Sequence, residues 1–287
     1  MKIAITGATG QLGQLVIKEL QRLKTQHQII ALVRNIDKAK TIFDSSIELR
    51  EFDYDQPQQL SKSLIGVDKI LLISANEIGR RTPQHKAVID AAIEAKVPHI
   101  LYTSLLNADN SPLSLAQEHR ETESLIRESK LNYTFLRNNW YSENYLAGLT
   151  HQIESGVVYG AAKNGKISSA SRQDYAAAAA VVLNDGTSDH LNKIYELAGS
   201  QNFTLDQFAQ ELSAISGKVV KYENLSAEAY TQGLTQAGLP AALIEVIVDA
   251  DVHTIHGAMY SDSKDLERLI GRKTTSIHES IQQALNH

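Results

Sequence analysis

The sequence predicts an α/β chain, with a doubly wound, mostly parallel sheet followed by a smaller, mainly helical C-terminal domain. Three observations predict it. Short apolar runs alternate with amphipathic helical patterns through the first two thirds of the chain. A glycine turn, TGATGQLG, joins the first run to the first helical pattern. From about residue 200 the alternation gives way to helical patterns broken by one short strand, KVVKYENL.

The elements follow in order. KIAIT is a strand and LGQLVIKELQRL a helix with apolar residues every third or fourth position. QIIALV is the second strand, DKAKTIF a short helix, IELREF the third strand and PQQLSKSLI the next helix. KILLIS, PQHKAVIDAAIEA, HILYTS, SLAQEHRETESLIRES and YTFLR continue the alternation to Arg137. An aromatic and asparagine cluster then precedes a glycine-rich stretch, GVVYGAAKNGK, and an alanine-rich helix, DYAAAAAVVL, where Asp174 stands at a capping position. KIYELAG returns one more strand to the sheet. The run Ala176 to Ala180 provides small side chains for close packing.

We therefore expect a dinucleotide-binding domain over 1–150, rejoined by 171–198. A smaller substrate-side domain is expected over 199–287, with 151–170.

Composition narrows the function classes. Hydrophobic residues make up 43% and charged residues 21%, enough for a packed core. The 28 basic and 33 acidic residues give a net charge of -5 without a basic block, which argues against a nucleic-acid partner. No cysteine is present, so thiol chemistry, disulfides and cysteine-ligated clusters are excluded. No apolar stretch approaches ~20 residues, so no membrane span is predicted, and a cytoplasmic protein is expected.

The glycine turn carries the first chemistry. Gly7, Gly10 and Gly13 are spaced G-x-x-G-x-x-G at a strand-to-helix junction, with Thr9, Gln11 and Leu12 between them. Such a turn needs glycine where the backbone leaves the ordinary regions, and bare Cα atoms so that amides and the helix dipole reach a pyrophosphate. A dinucleotide cofactor is predicted. At the end of the second strand, where Asp or Glu would hold a ribose 2′-hydroxyl, stands Arg34, whose fork suits a 2′-phosphate. NADPH is favoured, the alternative being a solvated surface arginine. Asp53 is placed to receive the adenine amino group or to cap a turn, and Ser74 lies where the fourth strand meets the cofactor.

These features resemble the short-chain dehydrogenase superfamily in its extended or atypical NmrA-like branch, with a Rossmann sheet. LLISANEIGRRTPQH, YTSLLNADNSPL, LRNNWYSENYL and GAAKNGKISSASRQDYAAAAA extend the resemblance over nearly the whole chain. They are most similar to the flavin-free, NADPH-dependent quinone oxidoreductases of bacteria within that branch. The resemblance implies hydride transfer from NADPH to a quinone. It also implies contacts of Asn138 through Tyr141 with cofactor or substrate, and an Asn144 aimed at the quinone.

The superfamily's tyrosine and lysine, four residues apart on one helix, are missing. Their place after the fifth strand is taken by His119 and Glu123. The chain has two Y-x-x-x-K matches: Tyr159 with Lys163, in a glycine-rich stretch not expected to be helical, and Tyr260 with Lys264, expected to start a helix remote from the fifth strand. His119 has a suitable pKa range for proton transfer, but EHRETE reads as a charged, solvated helix face. Ser104, closing the fifth strand, is expected at the nicotinamide end.

A quinone would remove the need for a Tyr-Lys proton relay, because its reduced ring gains aromaticity and takes a proton from water. What remains is positioning, for which RNNWYSENY, residues 137 to 145, offers Trp140, Tyr141 and Tyr145 as flat faces. Asn138, Asn139 and Asn144 offer amide donors to carbonyl oxygens. Alternatively the aromatics pack within the smaller domain and the asparagines cap turns. His253 and His256 lack the further ligands of a metal site, so no metal is expected. A nucleotide-sensing regulator of the NmrA type, binding NADP without turnover, is the competing function.

Overall fold

The computed structural model describes residues 1–286. In chain order, β1 (Lys2–Ile5), α1 (Gln11–Arg22), β2 (Gln28–Val33), α2 (Ile36–Lys40) and β3 (Glu48–Glu51) form the first run. Next come α3 (Pro57–Ser63), β4 (Lys69–Leu72), α4 (Arg81–Glu94), β5 (His99–Leu105), α5 (Ala116–Glu128) and β6 (Asn132–Asn138). Then follow α6 (Glu143–Leu146), α7 (Leu149–Ser155), β7 (Val157–Gly160), α8 (Arg172–Asn184) and β8 (Lys193–Leu197). The remainder is α9 (Leu205–Ser216), β9 (Lys221–Asn224), α10 (Ala227–Gln236), α11 (Ala241–Thr254), α12 (Asp265–Ile270) and α13 (Ile277–Leu285). No helix of the described residues is long and apolar enough to cross a membrane.

Two compact units emerge. The first comprises Met1–Ala108, Gln117–Asn138 and Arg172–Glu196; the second comprises Asp109–Ala116, Asn139–Ser171 and the chain from Leu197 onward. The chain leaves the first unit at Asn138, earlier than the expected break at residue 150, so most of RNNWYSENY belongs to the second unit.

The first unit holds a seven-stranded sheet in the order β3-β2-β1-β4-β5-β6-β8. Neighbouring strands pair parallel, for example Ile3 with Ile29 and Ile3 with Lys69. Strand order reverses between β1 and β4, and the crevice beyond the carboxyl ends at such a reversal is where doubly wound sheets bind ligands. Continuous apolar runs such as QIIALV are what a strand covered on both faces requires. On one face Ile30, Leu32, Ile70, Leu72, Ile100 and Phe135 pack against Leu60, Leu64, Val88 and Ile126. On the other, α8 lies along α1, and the buried alanines 176–180 permit the close approach. The buried Lys69 ammonium fastens the end of α8, donating to the carbonyls of Val182, Leu183 and Asp185.

In the second unit β7 and β9 pair parallel, Val157 opposite Lys221. β7 lies inside the glycine-rich stretch, where Val157 and Val158 supply the strand preference. A capping box of Thr204 and Gln207 starts α9.

Candidate functional site

The glycine turn has the geometry of a phosphate cradle. Gly7 sits at φ +57, in the left-handed region. The Gly10 amide donates to the Gly7 carbonyl at 2.9 Å, and Gly10 is the residue at the start of α1. A Cβ on Gly13 would stand 2.5 Å from the Gly7 oxygen and 2.7 Å from the Ala8 Cα, so only glycine lets the helix lie against the strand end. No side chain caps α1 and no acidic residue stands in its first turn, which leaves its amides and positive dipole end for an anion. Leu12 faces the core, Gln11 is exposed, and the Thr9 carbonyl is held by Gln14 Nε2 at 2.8 Å.

Arg34 is exposed at the end of β2 and makes no ion pair with any described carboxylate, as a phosphate-binding guanidinium requires. Tyr54, passed over in the sequence, lies in the fields of Thr6 and Arg34. Burial pushes its hydroxyl up to about 12. Asp53 accepts from the Asp55 amide at 3.1 Å through Oδ1, so one of its oxygens does hold a turn.

The loop after β4 is fixed from several sides. The Ser74 amide donates to Thr103 Oγ1 at 2.9 Å, and the Ile73 amide to Thr6 Oγ1 at 3.0 Å. Ala75 is gripped twice by α4, its amide by His85 Nε2 at 3.0 Å and its carbonyl by Arg81 Nε at 2.6 Å. Accepting through Nε2 leaves the His85 proton on Nδ1, which faces Thr122 Oγ1 at 2.9 Å. Burial, reinforced by Arg81, lowers the His85 pKa to about 3 and keeps the ring neutral. The segment LLISANEIGRRTPQH thus builds its own support.

The helix face expected to be solvated is buried instead. His119 is 5% exposed and Glu123 1%. His119 Nδ1 lies 2.7 Å from the Tyr102 hydroxyl, and burial, with Arg81 and His85 nearby, holds its pKa well below the ordinary histidine range. Glu123 Oε1 accepts from Ser104 Oγ at 2.6 Å and Arg137 Nε at 2.9 Å, and Oε2 from Arg137 Nη2 at 2.7 Å and Arg127 Nη2 at 3.0 Å. Arg137 continues to Glu196 at 2.9 Å, whose second oxygen takes the Asn107 amide. Side chains from β5 and β6, with Arg127 of α5 itself, complement these groups. Neither Y-x-x-x-K pair stands on a helix: Tyr159 is exposed on β7, and Tyr260 precedes α12.

Of the predicted residues, the first unit gathers Gly7 to Gly13, Arg34, Asp53, Ser74, Ser104 and Asn138, all at or just beyond the carboxyl ends of strands. Asn138 is buried, and its Oδ1 has no partner among the described residues, a free acceptor at the edge of β6.

The second unit holds Asn139, Trp140, Tyr141, Asn144 and Tyr145. Asn139 corrects an expectation: its amide hydrogens, read as ligand donors, go to the carbonyls of Ser168 at 2.9 Å and Met259 at 3.0 Å. Its side chain is a clip within the unit. Tyr145 packs edge-on against Phe203 at 5.6 Å and beside Phe208 at 6.1 Å, so its ring follows the packing alternative. Trp140 and Tyr141 are partly buried, and Asn144 is exposed on α6. His253 is paired with Asp249 at 3.5 Å, and no group of three metal-ligating side chains occurs among the described residues.

Comparison with known proteins agrees with this geometry. Residues 7–186 match the model of a family described as NAD(P)H-binding. Quinone oxidoreductase 2 of Escherichia coli K12 is 50% identical over 284 residues, 99% of each chain. The E. coli NADPH-dependent quinone oxidoreductase solved with NADPH superimposes with a TM-score of 0.95, covering 99% of this chain and 100% of that one. The Citrobacter triphenylmethane reductase solved with NADP(H) is 40% identical, with a TM-score of 0.94 over 98% and 99% of the two chains. An NmrA-like family domain-containing oxidoreductase of Aspergillus flavus is 25% identical over 99% of this chain and 95% of its own.

Proposed function

The chain belongs to the NAD(P)H-binding, NmrA-like family, and from that premise we propose that it is an NADPH-dependent oxidoreductase passing hydride directly to a quinone. The observation that carries the reading is the fate of the superfamily's proton-donor position. His119 is a buried neutral ring tied to Tyr102, and Glu123 is an acceptor held by two arginines and Ser104. Neither is arranged to deliver a proton. An alkoxide product needs a proton donor in its transition state, whereas a reduced quinone ring does not. The full-length similarity to the E. coli enzyme supports the same substrate class.

The residues of the first unit fit the cofactor. The Gly7–Gly13 turn and the start of α1 would hold the pyrophosphate, Arg34 the 2′-phosphate, and the free Asn138 Oδ1 a donor near the nicotinamide end. NADPH supplies the hydride. The contribution of the protein is to fix two flat rings at reacting distance and orientation, with Trp140, Tyr141 and Asn144 the residues proposed for the quinone side. The proton completing the hydroquinone comes from water.

Stopped-flow absorbance of the purified protein with NADPH, with and without a simple benzoquinone, tests the reading. Quinone-dependent loss of NADPH absorbance is expected. Tight NADPH binding without quinone-dependent oxidation would overturn it in favour of a nucleotide-sensing regulator.

A further inference from the structure

Three consecutive amides in the loop after β4 are each accepted by a side chain from a different part of the first unit. Ile73 donates to Thr6 Oγ1 at 3.0 Å, Ser74 to Thr103 Oγ1 at 2.9 Å and Ala75 to His85 Nε2 at 3.0 Å. The carbonyls of Ile73 and Ser74 accept nothing from the described residues, and both residues are half-buried. The loop thus has its backbone donors spent and two backbone acceptors open.

Its place gives that polarity a meaning. β4 pairs with β1 on one side and β5 on the other, so the loop stands at the reversal of strand order. A Cβ on Gly7 would lie 3.8 Å from Ile73 Cβ, which sets the loop beside the glycine turn. Phosphate oxygens only accept, so bare carbonyls offer them nothing, and the pyrophosphate belongs to the amides of the turn and of α1. A sugar hydroxyl can donate. The group that follows the pyrophosphate, toward β5, is the ribose bearing the nicotinamide.

We propose that His85 and Thr103 are positioning residues for the nicotinamide half of NADPH: by accepting the Ala75 and Ser74 amides they keep the Ile73 and Ser74 carbonyls for the hydroxyls of the nicotinamide ribose. The assignment rests on the reading of the first unit as the NADPH site and is independent of the hydride acceptor. His85 is fully buried and acts through Ala75. Its ring is set from behind, because Thr122 Oγ1 gives its own proton to the Glu118 carbonyl at 2.8 Å and accepts from His85 Nδ1 at 2.9 Å. The lone pair is thereby fixed on Nε2. Arg81 Nε, on the Ala75 carbonyl at 2.6 Å, closes the grip from the other side of the same peptide.

Calorimetric titration of the whole chain with NADPH, and with adenosine 2′,5′-bisphosphate, tests the assignment without a quinone. The bisphosphate keeps the adenine end and the 2′-phosphate but has no nicotinamide ribose. His85→Leu should weaken NADPH by about tenfold, the scale of a buried amide left without an acceptor, and leave the bisphosphate within about twofold. His85→Gln, which retains an acceptor, should recover most of the loss. Thr103→Val removes only the acceptor of the Ser74 amide; it should show the same split, and it decides the matter where His85→Leu does not fold. Equal weakening of the two nucleotides, NADPH affinity unmoved by either variant, or no recovery in His85→Gln would overturn the assignment. Absence of quinone turnover would sink the reductase reading and move neither affinity.

Discussion

The Tyr102 hydroxyl and His119 Nδ1 lie 2.7 Å apart inside the first unit, at the place where the superfamily presents its catalytic tyrosine. Both groups are buried, and burial is the main cause that raises the Tyr102 pKa and lowers that of His119. The pair is a neutral structural contact joining β5 to α5. His119→Ala would leave a cavity and a phenol without its partner, at a cost of about 2–4 kcal/mol. Urea unfolding should show that loss, while turnover per folded molecule stays well short of the roughly 100-fold drop that removal of a general acid produces. A kinetic loss of that size with unchanged stability would make His119 catalytic.

Arg34 and Tyr54 frame the second prediction. Arg34 is exposed and makes no ion pair among the described residues, and its charge acts on Tyr54, in the loop after β3. If the guanidinium reads the 2′-phosphate, Arg34→Glu removes charge-assisted hydrogen bonds and adds repulsion. NADPH binding should weaken by about 10- to 100-fold or more. NADH, which lacks the phosphate, should be little affected. Fluorescence titration with both nucleotides decides it, and equal losses would show that Arg34 does not face the phosphate.

The sheet and the glycine turn were legible in the sequence because both are local. QIIALV is apolar at every position but its first, and the glycine spacing announces a backbone turned to positive φ at Gly7 and without room for a Cβ at Gly13. The burial of His119 and Glu123 was not legible. EHRETE offers charges that can pair with one another at helical spacing, and nothing within it reveals Arg137, Tyr102 and Ser104, which arrive from β5 and β6. Asn139 misled for the same reason, since its amide partners belong to residues 168 and 259. Side-chain commitments made across long sequence separations leave no periodic trace.

Gly13 offers a sterically defined test. Its missing Cβ would press on the Gly7 oxygen at 2.5 Å and on the Ala8 Cα at 2.7 Å, both backbone atoms that cannot swing aside. Gly13→Ala must therefore push α1 off the turn. Overpacking of this kind costs about 1–3 kcal/mol. Thermal unfolding should register that loss, and NADPH affinity should fall with it because the same displacement spoils the anion cradle. A variant with wild-type melting and wild-type affinity would show that the turn relaxes freely.

The pH dependence of stability contains two opposing signs. His85 and His99, lowered by burial to about 3 and about 4, and His119, held by burial well below the ordinary histidine range, bind protons more readily when unfolded. Their contribution is complete above about pH 6.5 and declines as pH falls, by about 1.4 kcal/mol per histidine per pH unit until each folded-state pKa is reached. Asp251 runs the other way. Burial raises it from 3.8 to about 6, so the folded state holds its proton more tightly and stability is lost as pH rises through that interval, by about 3 kcal/mol. Asp251→Asn cannot ionise and should recover that amount at about pH 8, with little gain at about pH 3.5, where both forms are neutral. Urea unfolding of the two proteins at each pH measures the difference. A gain of the same size at both would mean that the charge of Asp251 is not what costs stability.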